Sequence, residues 1–293
     1  HDHAGDDLYL GQKYAFGCGY WKGIGVLRDD GGNDVYAAGK AALGAGINAA
    51  VGLLDDRGGN DHYQCLGLYE SGYSAGREWD NGYDGSGIGY GSCWRAEARN
   101  AEPEYRWQAT LGGGLGLVRD HGGNDEYVAG SFAIGSGYAG GVGMVMDDAG
   151  DDTWFVKRGP GGSNHNGWSG NHALGNGCHR GVGYVLDGAG NDRYSASTLG
   201  GGTAWDMASG FLLDLGGDDA MTDLHGKNLA GKTGAGMAKS FAVSFHDGGR
   251  DSYYRRAMGS ARDLAKGYPG KGGNFAFFVD IGAELDEYRR AYT

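Results

Sequence analysis

Three histidines, His165, His172 and His179, fall within fifteen residues of a chain that has only nine. Their spacing of seven and seven matches no zinc signature; His165 and His172 are expected to contact substrate, and His179 to serve acid–base chemistry. His179 lies 27 residues before Asp206, and 27 is the period of an internal repeat. Equivalent positions in adjacent repeats would bring an Asp beside a His, which orients the imidazole and raises its basicity. Arg180 follows His179 and would neutralise a substrate carboxylate, and Tyr83 would donate a proton. The other occupants of that repeat position include Trp21, Asn48, Ala139 and Ala238, so the pairing is not imposed by the repeat. An ordinary surface His–Asp contact is the plainer alternative.

Aromatic side chains gather in the same irregular stretches. Trp79, Tyr90, Trp94 and Trp107 lie between Cys65 and Leu111 among several arginines, and Trp168 lies near His165 and His172. Aromatic platforms with polar partners suit sugar rings or a protein surface, and a small local core is the competing use. Part of the first stretch, Gly85–Ser92, reads as a degraded repeat. Cys65 and Cys93 would either staple it or remain buried thiols.

A second constellation recurs throughout. Asp29, Asn33 and Asp34 put three side-chain oxygens on one turn, and Asp56, Asn60 and Asp61 repeat them 27 residues later. Hard oxygen ligands suit Ca²⁺, and stacked like charges would need a cation between them. Asp and Asn also cap turns through backbone N–H groups without any metal.

What positions all of these is the repeat itself, D-x-G-G-N-D-x-Y with variations. Its final Asp falls at Asp7, Asp34, Asp61, Asp125, Asp152, Asp192, Asp219, Asp251 and, degenerately, Asp286. Each copy follows a G-x-G-apolar-apolar run such as Gly23–Leu27 or Gly181–Val185. Alternation of small and apolar residues predicts strands, and Gly-Gly-Asn-Asp predicts a turn. A 27-residue unit is too short for a propeller blade and suits one coil of a parallel β-helix. The expected fold is all-β: a single β-solenoid domain over 1–293, of about nine coils. Loop insertions at about 65–111, 155–180, 222–240 and 254–274 are expected on one side. Two residues after each motif Asp stands an aromatic in most copies, so a stacked aromatic ladder is expected inside.

The Gly-Gly-Asn-Asp turns resemble half of the calcium-binding nonapeptide of RTX proteins. RTX repeats return every nine residues and these every 27, so the resemblance implies calcium at the turn carboxylates and nothing about the rest of the chain.

Composition narrows the function classes. The 64 glycines lack a collagen period, and 19 Tyr with 7 Trp argue for a folded chain. A net charge of −12 argues against a nucleic-acid partner. No apolar run is long enough for a membrane span. The motif at Asp7 begins almost at the first residue, so a cap is expected from further sequence, another subunit or an insertion. The leading expectation is a secreted or cell-surface carbohydrate-active protein binding a polysaccharide beside the solenoid, as a lyase using His179, Asp206, Arg180 and Tyr83. The alternative is a non-enzymatic, calcium-stabilised surface, adhesion or filament module within a larger assembly or longer chain.

Overall fold

The structure, a computed structural model, describes residues 1–66, 87–93, 112–130, 132–156, 173–196, 201–205, 207–223, 240–253 and 275–281. Every regular element among them is a strand, and every strand pairing is parallel. One repeat shows the plan. Gly46–Ile47 is a two-residue strand, Val51–Asp56 a six-residue strand and His62–Cys65 a four-residue strand. Each pairs only with its counterpart in the neighbouring repeat. Three parallel sheets result: eight strands from Leu8–Leu10 to Ser252–Tyr253, six from Gly19–Tyr20 to Ala204–Trp205, and eight from Ile24–Asp29 to Phe275–Ile281. This architecture is consistent with a parallel β-solenoid. Residues 87–93 belong to it, because Gly91–Ser92 joins the two-residue strands Gly46–Ile47 and Gly137–Tyr138.

The glycine of the G-x-G run explains how closely the sheets approach. A Cβ on Gly52 would lie 2.1 Å from the Ala45 carbonyl oxygen, so the six-residue and two-residue strands meet backbone to backbone. Between them the chain turns through two left-handed residues, as in a type I′ turn: Trp21 and Lys22 at φ 53° and 59°, His179 and Arg180 at 49° and 66°. The Gly181 amide closes the latter turn on the Cys178 carbonyl at 3.0 Å.

The interior is built of columns. Tyr9, Tyr36, Tyr63, Tyr127, Trp154 and Tyr194 stack with centroids 4.0–6.0 Å apart and planes within 10° of parallel. Leu54, Val118, Val145, Val185 and Leu212 form a second buried column, and Leu43, Ile88, Ile134 and Leu174 a third. Cys65 and Cys93 are not joined to each other; both are buried, their thiols donating to the Gly39 and Ala139 carbonyls.

Candidate functional site

Beside the aromatic column, the repeats from Asp29 to Asp219 each bury two aspartates. The first ends the six-residue strand: Asp29, Asp56, Asp120, Asp147, Asp187 and Asp214, all fully buried. In Asp29, Asp56, Asp120, Asp147 and Asp214 the Oδ1 accepts a backbone N–H two residues on, as Asp56 does from Gly58 at 3.0 Å, which is the turn-capping role of Asp, while Asp187 Oδ1 is buried without a hydrogen-bond partner. The Oδ2 accepts the hydroxyl of the preceding repeat's tyrosine: Tyr36 on Asp56, Tyr63 on Asp120 and Tyr127 on Asp147, each at 2.6 Å. Where Trp154 replaces Tyr, its indole N–H makes the same reach to Asp187 at 2.9 Å.

The second aspartate closes the Gly-Gly-Asn-Asp turn. Its Oδ1 accepts the backbone N–H of its counterpart one repeat earlier: Asp34 N to Asp61, Asp61 N to Asp125, Asp125 N to Asp152. Its Oδ2 is another matter. In Asp34, Asp61, Asp125, Asp152 and Asp192 this atom is buried with no hydrogen-bond partner. Asp34, Asp56 and Asp61 each bring an oxygen within 4.8 Å of the others, as do Asp7 with Asp29 and Asp34, and Asp61 with Asp120 and Asp125.

Burial first, and then neighbouring carboxylates, push these groups up. Asp34 is raised to about 6, Asp61 to about 8, Asp125 to about 9 and Asp152 to about 10. A buried charge without a partner is costly, so each turn carboxyl must take a proton or face a cation. Asp214 is the exception. Burial opposes its charge, yet His246 beside it holds its carboxyl below the ordinary value.

The clustered carboxylates could hold a metal ion. Two carboxylates per repeat balance one divalent ion per repeat. Two oxygens on a Ca²⁺ ion at 2.3–2.6 Å lie at most about 5 Å apart. Three carboxylates fall short of six to eight oxygen ligands, so the remaining positions would come from second oxygens, tyrosine hydroxyls or water.

Asn33 and Asn60 stand on the other side of the same turn. They are solvent-facing and form a separate ladder: Asn60 N–H donates to Asn33 Oδ1 at 2.9 Å, and Asn124 N–H to Asn60 Oδ1 at 2.8 Å. Alternation along extended backbone sends neighbouring side chains to opposite faces. The structure therefore brings Asp29, Asp34, Asp56 and Asp61 together and leaves the two asparagines outside their cluster.

His179 is half-buried in its left-handed turn, with its ring edge-on to Tyr138 at 5.3 Å, and Arg180 is exposed. The turn conformation recurs at Asn48 and Ala49, so the fold imposes it. Register pairs Cys178 with Trp205, immediately before His179 and Asp206. Asp206 itself lies outside the described residues, as do Tyr83, Trp79, Trp94, Trp107, Trp168, His165 and His172. Tyr90 is buried in a small cluster with Ala45, Phe132 and Tyr138.

One surface had no signal in residue spacing. The outward positions of the third sheet are apolar over successive strands: Ile24 and Val26 are 77% and 61% exposed, followed by Leu53, Leu117, Met144 and Tyr184 in register. Tyr184, Phe211 and Phe241 form an aromatic strip with centroids 5.8–6.1 Å apart. No helix among the described residues is long and apolar enough to cross a membrane. Compared with known proteins, the chain matches no family model, no curated protein and no solved structure.

Proposed function

We propose that this chain is a non-enzymatic, cation-stabilised solenoid module of a secreted or cell-surface protein, working as an adhesion or surface-binding element. Its nine motif copies would make nine coils of one solenoid, with the inserted segments on one side, and its aspartate column would take Ca²⁺. The observation that carries this reading is the line of buried Oδ2 atoms without partners in Asp34, Asp61, Asp125, Asp152 and Asp192. A catalytic carboxylate needs access to substrate, whereas these are sealed behind the aromatic column. The apolar face of the third sheet supplies the contact surface, and its aromatic strip suits the flat faces of a polysaccharide.

The test is thermal unfolding at pH 8 with calcium or with chelator, for the parent and for Asp61→Asn. Asn keeps the Oδ1 acceptor for Asp34 N–H and removes the charge. Calcium should raise the Tm of the parent more than that of the variant. Equal melting of the parent with calcium and with chelator sinks the calcium reading.

A second reading keeps the lyase. It rests on the Cys178–Trp205 register, the residues that immediately precede His179 and Asp206 in the sequence. In it His179, oriented by Asp206, removes the proton α to a uronate carboxylate that Arg180 neutralises, and Tyr83 protonates the leaving oxygen. Ultraviolet absorbance of an unsaturated product, lost in His179→Ala, would support it; a flat trace across uronate polysaccharides would remove it.

A further inference from the structure

The column of strand-end aspartates changes chemistry at one place. After Asp214, strand register puts His246 where an Asp belongs, and Asp280 follows His246 in the next pairing. The His246 imidazole is fully buried. Its Nε2 lies 3.0 Å from Ser244 Oγ, itself buried, and its Nδ1 lies 3.7 Å from Asp214 Oδ2. That second distance is too long for a hydrogen bond. It is close to the roughly 3.3 Å separation of two ligands on one tetrahedral ion with bonds of about 2.0–2.1 Å. Asp219 completes the group, with one ligand atom from each of Asp214, Asp219 and His246 within 4.8 Å of the others.

Asp214 supplies an independent pointer. Its side chain is fully buried, and its Oδ2 faces this gap with no hydrogen-bond partner, while its Oδ1 is engaged by Gly216 N–H. This orphaned carboxylate oxygen and the ring nitrogen, an ion pair at 3.7 Å, present two ligand atoms to one buried position. Ser244 suits a supporting role. If the Nε2–H donates to its hydroxyl oxygen, the ring is fixed in the tautomer whose Nδ1 lone pair points at Asp214, the arrangement metal-binding histidines use.

We infer that Asp214, Asp219 and His246 form a transition-metal site of the zinc class, distinct from the all-oxygen positions along the rest of the column. Imidazole nitrogen with two carboxylates selects zinc, cobalt or nickel over calcium. The inference does not depend on calcium filling the other positions, because its ligand set and its readout are different.

The experiment uses Co²⁺ as a spectroscopic stand-in for zinc, titrated into the full chain in excess calcium. His1 and His3, which share Asp30 on the surface, are first replaced in a His1→Ala/His3→Ala background so that they cannot contribute. The expected result is stoichiometric binding of one cobalt with a visible ligand-field band of low-coordinate cobalt, reversed by zinc. His246→Asp restores the residue that the column carries elsewhere, so it should fold while cobalt affinity falls at least about 100-fold. Ser244→Ala should weaken binding about 10-fold. No stoichiometric cobalt in the folded parent, or an unchanged spectrum in His246→Asp, overturns the inference. Calcium-dependent melting is scored separately, so either reading can fail without the other.

Discussion

The Tyr36 hydroxyl donates to Asp56 Oδ2 at 2.6 Å across the boundary between one repeat and the next. Tyr36 stacks on Tyr63, which in turn reaches Asp120. Tyr9, Tyr36, Tyr63 and Tyr127 thus each serve two columns at once, holding a neighbour by ring contact and the following repeat's turn by the hydroxyl, whereas Tyr194 bonds Asp187 of its own repeat.

Tyr63→Phe separates these roles. The ring stack survives, and Asp120, already raised to about 6 by burial, loses the donor that favours its charged form. Stability should fall by about 2 kcal/mol, the cost of leaving a buried acceptor unmet. Urea unfolding would measure it, and a loss near zero would show that the hydroxyl contact contributes nothing net.

The pH dependence should run opposite to common acid denaturation. The turn carboxyls have folded pKa values above their unfolded values, so folding favours their protonated forms. That contribution is fully present below about pH 4 and is lost as pH rises through the folded values, about 6 for Asp34, 8 for Asp61 and 9 for Asp125. Metal-free protein should therefore melt progressively lower from pH 5 to pH 9. Calcium should flatten that slope, and its stabilising effect should grow with pH. A metal-free protein that gains stability over this range would contradict the assignment.

Asp61→Asn should raise the Tm of the chelator-treated protein at pH 8, because it removes a buried charge while keeping the backbone bond from Asp34. Differential scanning calorimetry would read the change, and a marked drop would mean that the charge itself is needed without any ion.

Gly59 sits at φ 156° with its absent Cβ position 1.5 Å from the Gly32 carbonyl oxygen. No side chain fits there without moving backbone, so Gly59→Ala should cost more than about 4 kcal/mol. Its neighbour Gly58 has 3.2 Å to the nearest atom at φ 138°, so Gly58→Ala should show mainly the backbone strain, about 1–2 kcal/mol. Chemical denaturation of the pair separates close approach from conformation.

Phe211→Lys places a charge on the outward face of the third sheet, where the ring is half-buried between Tyr184 and Phe241. Adsorption to polysaccharide should fall at least about tenfold, with a small change in Tm. Unchanged adsorption would exclude that face as the contact surface.

The aromatic column was legible because a stacked position repeats its residue type: Tyr36, Tyr63 and Tyr127 announce it. The parallel strands were legible from G-x-G runs and their turns. The split between Asn33 and Asp34 was not, because adjacent letters in an extended turn part to opposite faces, and composition cannot say which goes inside. His246 was visible as the residue aligned with Asp29, but the doubled Asp29–Asp30 draws the eye to Asp247 instead. The apolar sheet face escaped for a related reason. Leu53 and Leu54 read alike, although only Leu54 is inside. The 27-residue spacing of His179 and Asp206 was legible, while Asp206 and most of the aromatics expected to bind sugar rings lie outside the described residues.

Asp34 belongs to two carboxylate triads, one with Asp7 and Asp29 and one with Asp56 and Asp61. The same sharing continues at Asp61. With two acids per strand spacing of about 4.8 Å, the interior carries one ionisable group per about 2.4 Å of axis. Duplex DNA carries one per about 1.7 Å, but on its outside, where salt can gather. This protein encloses a comparable line of ionisable groups in its own wall, beyond the reach of a diffuse ion atmosphere. The charge of each carboxylate then raises the cost of ionising its neighbours, as at Asp61 and Asp125.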